Sequence, residues 1–208
     1  MVKLINYKQE IMQGNPDQQV IEVSLHPNSW ERFFGSYPII QKVFQGLTMQ
    51  HGRYIITRND VRNATGQHRI IKALLWAFAD SPRVHNMERI LPELGNIVTL
   101  LKQHQDDDLH ATEFKAFYNA LLRIPGVGVT TASILLFFYN VRCEGCAPVA
   151  ITNLIACEFA RFDELHGVEN LHYFEQLYRF NAIATNIDVT SEQIEYFLYR
   201  VSRGEIQI

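Results

Sequence analysis

The apolar residues of this chain recur mostly at the spacing of an α-helix. In "QHRIIKALLWAF", Ile70, Ile71, Leu74 and Leu75 follow an i, i+4 pattern, which places them on one face of a helix. Pro82 follows shortly after this run, as is typical beyond a helix end. The pattern therefore predicts an amphipathic helix packed against a core.

Helical spacing continues through most of the chain. A helix over "HATEFKAFYNALLRI" would carry Phe114 and Phe117 on one side and end before Pro125. "NSWERFFGSYPIIQKVFQGL" predicts a helix start at Asn28 or Ser29, with an interruption near Gly35 and Pro38. Further helices are predicted for "VHNMERILPELGNIVTLLKQH" with a kink at Pro92, "GVTTASILLFFYN", "VAITNLIACEFARF", "ENLHYFEQLYRFNAI" and "TSEQIEYFLYRV".

One stretch has strand character, and no repeat occurs at solenoid periods. "GRYIITRNDV" favours a short extended element near residues 53–57. The predicted fold class is therefore all-α (mainly), with one short extended element.

Two helix starts carry capping signals. Thr190 with Gln193 three residues later forms a capping-box pattern, and Gly204 follows the end of the same helix. In "QHQDDDLH", Asp107 or Asp108 is expected to cap the helix that leads to Pro125.

Composition places the chain among soluble intracellular proteins. Its 208 residues are 47% hydrophobic, enough to bury a core in one domain or two small lobes. The start "MVKLINYKQE" lacks a signal-peptide pattern, and the run "ASILLFFY" is too short to span a bilayer. Three cysteines fit a reducing compartment rather than a disulfide framework. A cytoplasmic protein without a membrane partner is expected.

Charge is unevenly distributed along the chain. The net charge of −3 argues against bulk attraction to nucleic acid. Residues 101–208 carry eight Lys or Arg against fourteen Asp or Glu, whereas residues 53–89 carry seven against three. Those seven are Arg53, Arg58, Arg62, Arg69, Lys72, Arg83 and Arg89. An anionic partner is expected to meet the 53–89 region if these side chains share a face; the alternative is an ordinary mixed surface.

The stretch "RIPGVGVTTAS" places a tight turn between two predicted helices. Pro125 cannot continue the first helix, and Gly126 and Gly128 permit positive φ or a close backbone approach. The first turn of the next helix leaves its amides unpaired at the positive end of the dipole, where Thr130 and Thr131 would add hydroxyl groups. This combination predicts an anion site, with phosphate as the usual occupant; the alternative is a tight turn that holds nothing.

"IPGVGVTTAS" resembles the helix-hairpin-helix motif, here at about residues 112–140, including the small residue Ala132 where the helices pack. The resemblance implies that Pro125, Gly126, Val127, Gly128 and Thr130 grip the DNA backbone without reading sequence. It also implies a structural monovalent cation at the turn and no other cofactor.

Residues 110–160 as a whole resemble the helix-hairpin-helix DNA glycosylase superfamily, because "GCAPVAITNLIACEF" stands where that family has the loop to its catalytic aspartate. "IIKALLWAF" and "SEQIEYFLYRV" are similar to the 8-oxoguanine DNA glycosylase-like (OGG-like) branch. This resemblance implies one two-lobed helical domain over residues 1–208 that flips a base from duplex DNA. In the family a lysine forms a Schiff base with the sugar, and an aspartate stabilises the developing charge.

The chain departs from the family at both catalytic positions. No lysine follows Lys115, and the family lysine position falls on Thr130, Thr131 or Ile134. A threonine hydroxyl cannot form a Schiff base. The aspartate position falls on Ala150, Thr152 or Asn153, none of which is an acid.

Catalysis by the family mechanism is therefore not expected, and the catalytic residues stay unassigned. Monofunctional hydrolysis would need a carboxylate from elsewhere, such as Glu158 or Asp163, both of which are interpreted as surface charges.

Aromatic and cysteine residues supply further candidates. Asn153, Phe174 and Tyr178 are candidates for a base pocket, although the two aromatics would also form a core stripe. Trp30 and Trp76 are assigned to the core.

Cys143 and Cys146 form a C-x-x-C that with Cys157 and His166 could hold zinc. The favoured interpretation is no metal, with two loop thiols and Cys157 in a core stripe beside Leu154. His166 and His172 are expected at the surface.

Three functions fit this pattern. The first is a DNA-binding protein that grips the backbone, and a flipped or modified base, without the lysine and aspartate chemistry: a pseudoenzyme of base excision repair. The second is an atypical monofunctional DNA glycosylase. The third is a protein- or nucleotide-binding module, for example in anti-phage defence, which the acidic C-terminal half favours. The oligomeric state stays open.

Overall fold

The computed structural model describes residues 1–79 and 84–208. The predicted helix stop at Pro82 and two charges of the 53–89 region, Asp80 and Arg83, lie outside the described residues. The prediction of a mainly α fold is confirmed. The α-helices are α1 (Lys8–Gln13), α2 (Pro38–Gln45), α3 (Arg58–Arg62), α4 (Gly66–Phe78), α5 (Val84–Ile90), α6 (Leu94–Lys102), α7 (Ala111–Leu122), α8 (Val129–Phe138), α9 (Asn153–Ala156), α10 (Tyr173–Ile187) and α11 (Ser191–Ser202).

Proline and capping residues set several helix boundaries as predicted. A 3₁₀ turn over Trp30–Phe33 precedes α2, which begins at Pro38. The helix containing Pro92 is interrupted there, because a 3₁₀ turn over Leu91–Glu93 separates α5 from α6. The capping box of α11 is confirmed, since the hydroxyl of Thr190 accepts a hydrogen bond of 3.1 Å from the backbone N–H of Gln193.

The predicted extended element at 53–57 is the central strand of a small antiparallel sheet. The strands are β1 (Val20–Val23), β2 (Thr48–Gln50) and β3 (Arg53–Thr57), in the order β1-β3-β2. His51 and Gly52 both have positive φ and join β2 to β3 in a two-residue turn, which matches the twist of a hairpin. The sequence did not predict β1 or β2, because each is too short for a clear alternating pattern.

The predicted cap at Asp107 or Asp108 is wrong. Asp108 and Leu109 form β4, which pairs in parallel with β5 (Arg142–Cys143). The carboxylate of Asp108 instead accepts hydrogen bonds of 2.9 and 3.0 Å from the backbone N–H of Gly145. His110 is the residue that precedes α7, and the carboxylate of Glu113 accepts from its backbone N–H.

Helix α8 lies in the middle of the core. Every residue from Thr131 to Phe138 is buried, so this helix packs on all sides, and only its start reaches the surface. The indole of Trp76 on α4 packs edge-on against Phe138 with ring centroids 5.7 Å apart. The core thus holds α8 firmly while leaving its first residues available.

The segment after α8 is less helical than predicted. Within "VAITNLIACEFARF" only α9 and a 3₁₀ turn over Phe159–Arg161 form. The expected core stripe is also wrong, because both Leu154 and Cys157 are exposed. Cys143 is the buried thiol instead.

None of the described helices is both long and apolar enough to cross a membrane.

Candidate nucleic-acid interface

The turn between α7 and α8, here called the hairpin turn (residues 123–130), owes its shape to close packing on one side. Gly126 has φ +84, and a Cβ there would lie 2.5 Å from the carbonyl oxygen of Asn86 on α5. Val127 is buried, and its N–H donates to the carbonyl of Ile124 at 3.0 Å. These residues therefore fix the turn against the protein rather than face an outside partner.

The other side of the hairpin turn is open. Gly128 is extended, and a Cβ built on it would meet no atom within 4 Å. Among the described residues no side chain caps α8, so helix geometry leaves the amides of Val129, Thr130 and Thr131 without an intrahelical partner. Val129 is 49% exposed. The positive end of α8 is thus presented at the surface beside Gly128.

Two exposed arginines lie in or next to the hairpin turn. Arg89 lies on α5 next to the turn, since its Cβ would be 3.0 Å from a Cβ at Gly126. Arg123 ends α7, and both side chains are exposed. Neither forms an ion pair within the described ranges. They add positive charge to the neighbourhood of the hairpin turn.

The expected basic face over residues 53–89 does not form in the described part of that region. Arg58 is fully buried, and Arg62 pairs with Asp17 at 2.6 Å. Arg53 pairs with Glu22 at 3.3 Å. The side chains of Arg69 and Lys72 donate to backbone carbonyls of residues 60–64. Of the described members of the predicted set, Arg89 is the one placed next to the hairpin turn.

A cleft of about 650 Å³ opens beside Gly128. The end of α4, the start of α8 and the start of α9 form its walls, together with β1 and α11. Its lining is aromatic at Trp76, Phe78 and Tyr199, polar at Gln19, Asn86, Thr130, Thr131, Thr152 and Asn153, and otherwise small or aliphatic at Ile21, Ala77, Ala79, Gly128, Val129 and Leu154. Mostly apolar walls with a few convergent polar groups are typical of a small-molecule or base site.

Two of the polar lining residues are almost completely buried. Gln19 is 2% and Thr131 is 3% exposed. The hydroxyl of Thr131 has no hydrogen-bond partner among residues 1–79 and 84–208. This hydroxyl is therefore free to pair with a polar atom of a molecule in the cleft.

The candidate family positions divide between this cleft and the core. Thr130 and Thr131 line the cleft, and Thr152 and Asn153 lie across from them. Ile134 and Ala150 are buried in the core instead. No described lining residue is a lysine or a carboxylic acid. Tyr199 is the ionisable group present, and burial raises its pKa.

The acids considered for hydrolysis lie elsewhere. Glu158 pairs with Arg161 at 2.9 Å, and Asp163 is exposed; neither lines the cleft. His166 and His172 are exposed, as predicted.

Phe174 and Tyr178 do not line the cleft, which corrects their expected position beside Asn153. The ammonium of Lys115 lies 4.1 Å from the ring centroid of Phe174. The hydroxyl of Tyr178 donates to Glu144, which lowers the pKa of that carboxylate and raises the pKa of Tyr178. The aromatic walls of the cleft are formed by Trp76, Phe78 and Tyr199. The sequence assigned Trp76 to the core, and no local pattern marked Phe78 or Tyr199 as site residues.

The C-x-x-C segment forms a tight turn. Cys143 and Cys146 face each other across it, joined by backbone hydrogen bonds of 3.2 and 2.9 Å. Burial raises the pKa of both thiols. Within the described ranges, no group of three or more His, Cys, Asp or Glu side chains is placed to hold a metal ion.

Comparison with known families adds one match. A family model described as "OGG: Putative 8-oxoguanine DNA glycosylase OGG-like protein" matches residues 15–199. That range includes the hairpin turn and every described residue of the cleft. No curated protein and no solved structure matches the sequence.

Proposed function

Because this chain belongs to the OGG-like family over residues 15–199, we propose that it binds duplex DNA and receives one extruded base in the cleft beside Gly128. The exposed end of α8 contacts the phosphate backbone, and residues 1–208 act as one two-lobed domain. The observation that carries this proposal is that the uncapped start of α8 and the wall of the cleft share the same residues, Gly128 to Thr131.

The backbone contact rests on groups that attract anions. Amides at a helix start bind phosphate through hydrogen bonds and the helix dipole. Arg89, next to Gly126, and Arg123, at the end of α7, are exposed and add positive charge near the hairpin turn. Such contacts hold DNA without reading its sequence, which leaves recognition to the cleft.

The cleft suits an extruded base in size and in chemistry. A volume of about 650 Å³ falls within the range of ligand sites, on the order of 300–1,000 Å³. The rings of Trp76 and Phe78 line the cleft and offer apolar contact to a base, and the amides and hydroxyls of the lining offer partners for its edge.

The substitution Gly128→Asp tests the backbone contact. The site has open space and an ordinary φ, so the fold should persist. A carboxylate there repels phosphate, and we expect affinity for a duplex with one 8-oxoguanine or abasic site to fall at least about tenfold, as measured by fluorescence anisotropy across a salt series.

The matched control is Gly128→Ala, which places a side chain in the same open space without a charge or a group that could cap α8, and it should bind much as the wild type does. Equal, salt-dependent binding by all three proteins would show that the protein contacts the DNA backbone somewhere other than the hairpin turn. No DNA binding by the wild type would favour the protein- or nucleotide-binding module.

The family description favours a second candidate, a monofunctional DNA glycosylase. Schiff-base lyase chemistry would leave an adduct that borohydride traps, and we expect none because no lysine lines the described part of the cleft. Strand cleavage of a lesion duplex only after hot alkali would identify a monofunctional glycosylase. The catalytic carboxylic acid of such a glycosylase would then come from outside the described lining of the cleft. In the sequence, Asp80 directly follows the lining residue Ala79.

The monovalent cation that the resemblance implies would be held by carbonyl oxygens of the hairpin turn. The carbonyls of Ile124 and Gly128 already accept hydrogen bonds from Val127 and Ala132. A carbonyl oxygen has a second lone pair, so these bonds are compatible with a cation. Its role would appear as a dependence of DNA affinity on the identity of the monovalent salt at constant ionic strength.

A further inference from the structure

A buried ionic cluster lies directly behind the cleft. Arg58 on α3 is fully buried, and its Nη1 donates to Glu192 on α11 at 2.8 Å. Its Nη2 contacts the carboxylate of Glu195, which is 1% exposed. The guanidinium also lies 5.6 Å from the ring centroid of Trp76, a wall of the cleft.

Such a cluster is a costly way to stabilise a fold. The desolvation free energy of a buried arginine and glutamate is about as large as the stabilisation from their attraction. Apolar residues can therefore often replace such pairs without lowering the stability of the fold. The cluster is therefore better explained by what it holds in place. Its third partner is Gln19, a residue of the cleft.

Arg58 determines which way the carboxamide of Gln19 faces. Both Nε, at 2.8 Å, and Nη2 of Arg58 donate to one side-chain atom of Gln19. A guanidinium has only donors, so that atom must be the oxygen Oε1, and both of its lone pairs are occupied. The amide nitrogen Nε2 is left over, with two N–H donors and no partner within the described ranges.

We propose that Gln19 contacts the base in the cleft only as a hydrogen-bond donor. Arg58 is the positioning residue, because it occupies the side-chain oxygen of Gln19. With Nε2 facing the exocyclic group of the base, a carbonyl oxygen accepts from it, whereas an amino group would meet donor with donor. The cleft therefore selects bases with a keto group on the edge that faces Gln19, as guanine, hypoxanthine and uracil have, over their amino counterparts. This inference rests on the proposed function and specifies its substrate class.

The test uses matched duplexes whose bases differ at position 6, where inosine has a keto group and adenosine an amino group. Each carries either inosine or adenosine, made resistant to hydrolysis by a 2′-fluoro sugar and placed opposite an abasic analogue, so that the cost of extrusion is similar. We expect the wild type to bind the inosine duplex about 10- to 100-fold more tightly, the discrimination typical of one buried hydrogen-bonding group.

The variant Gln19→Glu gives the sharpest outcome. One carboxylate oxygen can still accept from Arg58, but the other presents an acceptor to the cleft, so the preference should invert towards adenosine. Gln19→Met removes both polar groups and should abolish the preference. A purely structural role for Gln19 would change thermal stability in either variant without changing which base is preferred.

The outcomes separate the two proposals. Binding that is salt-dependent and sensitive to Gly128→Asp, but equal for the two duplexes, overturns the role of Gln19 and leaves the proposed function standing. An inosine preference that persists in both variants overturns it as well. If Gln19→Glu does not fold, Gln19→Met decides alone. Failure of the wild type to bind any duplex overturns both proposals.

Discussion

At the scale of single residues, the two positions of the hairpin turn that are glycine have different physical reasons for lacking a side chain. Gly126 is required because its φ is positive and α5 passes too close for a side chain. Gly128 has neither constraint, so its absent side chain leaves the end of α8 accessible. The sequence predicted a turn with two special glycines but could not distinguish them, because the neighbour of Gly126 comes from a helix far away in the chain.

The substitution Gly126→Ala should lower the free energy of unfolding by at least about 1–2 kcal/mol. The left-handed conformation alone costs about that much for an L-residue, and the clash with the carbonyl of Asn86 adds to it. Urea unfolding followed by circular dichroism measures the loss. Gly128→Ala is the control and should stay within about 0.5 kcal/mol of the wild type; equal losses at both glycines would refute this distinction.

At the scale of elements, helices with a repeating apolar pattern could be predicted, whereas the short α1 and α3 could not. Helices α4, α7, α10 and α11 carry a repeating apolar face or a cap that is visible locally. Strands β1 and β4 have only a few residues, and their partners lie tens of residues away, so no local pattern specifies them. Helix α9 was overestimated because apolar residues of a buried loop resemble a helical stripe.

The cap of α11 supplies a prediction at this scale. Thr190→Ala removes the hydroxyl that accepts from the N–H of Gln193, and it should cost about 1 kcal/mol of stability, measured by urea unfolding. Thr185 on α10 is a matched control, since its hydroxyl only donates to the carbonyl of Asn181 within the helix. Thr185→Ala should be close to neutral; a similar loss there would mean that the cap contributes nothing specific.

At the scale of the whole molecule, the cleft and the charge pattern both depend on contacts across the fold. The lining combines residues from near position 20, from the ends and starts of three helices and from position 199, so no stretch of sequence contains the site. The count of cations over residues 53–89 was misleading for the same reason. Arg53, Arg58 and Arg62 each pair with acids far away in the chain, and little of that charge is left for DNA.

The central claim is that DNA held at Gly128 delivers a base into the cleft, and base extrusion can be observed directly. A duplex with 2-aminopurine beside an 8-oxoguanine should brighten when the wild-type protein binds, because extrusion of the lesion removes a stacking neighbour. Gly128→Asp should give no such change at the same protein concentration, whereas Gly128→Ala, which cannot cap α8, should match the wild type. Binding by the wild type with unchanged fluorescence would contradict the account, since the DNA would then be held without delivering a base.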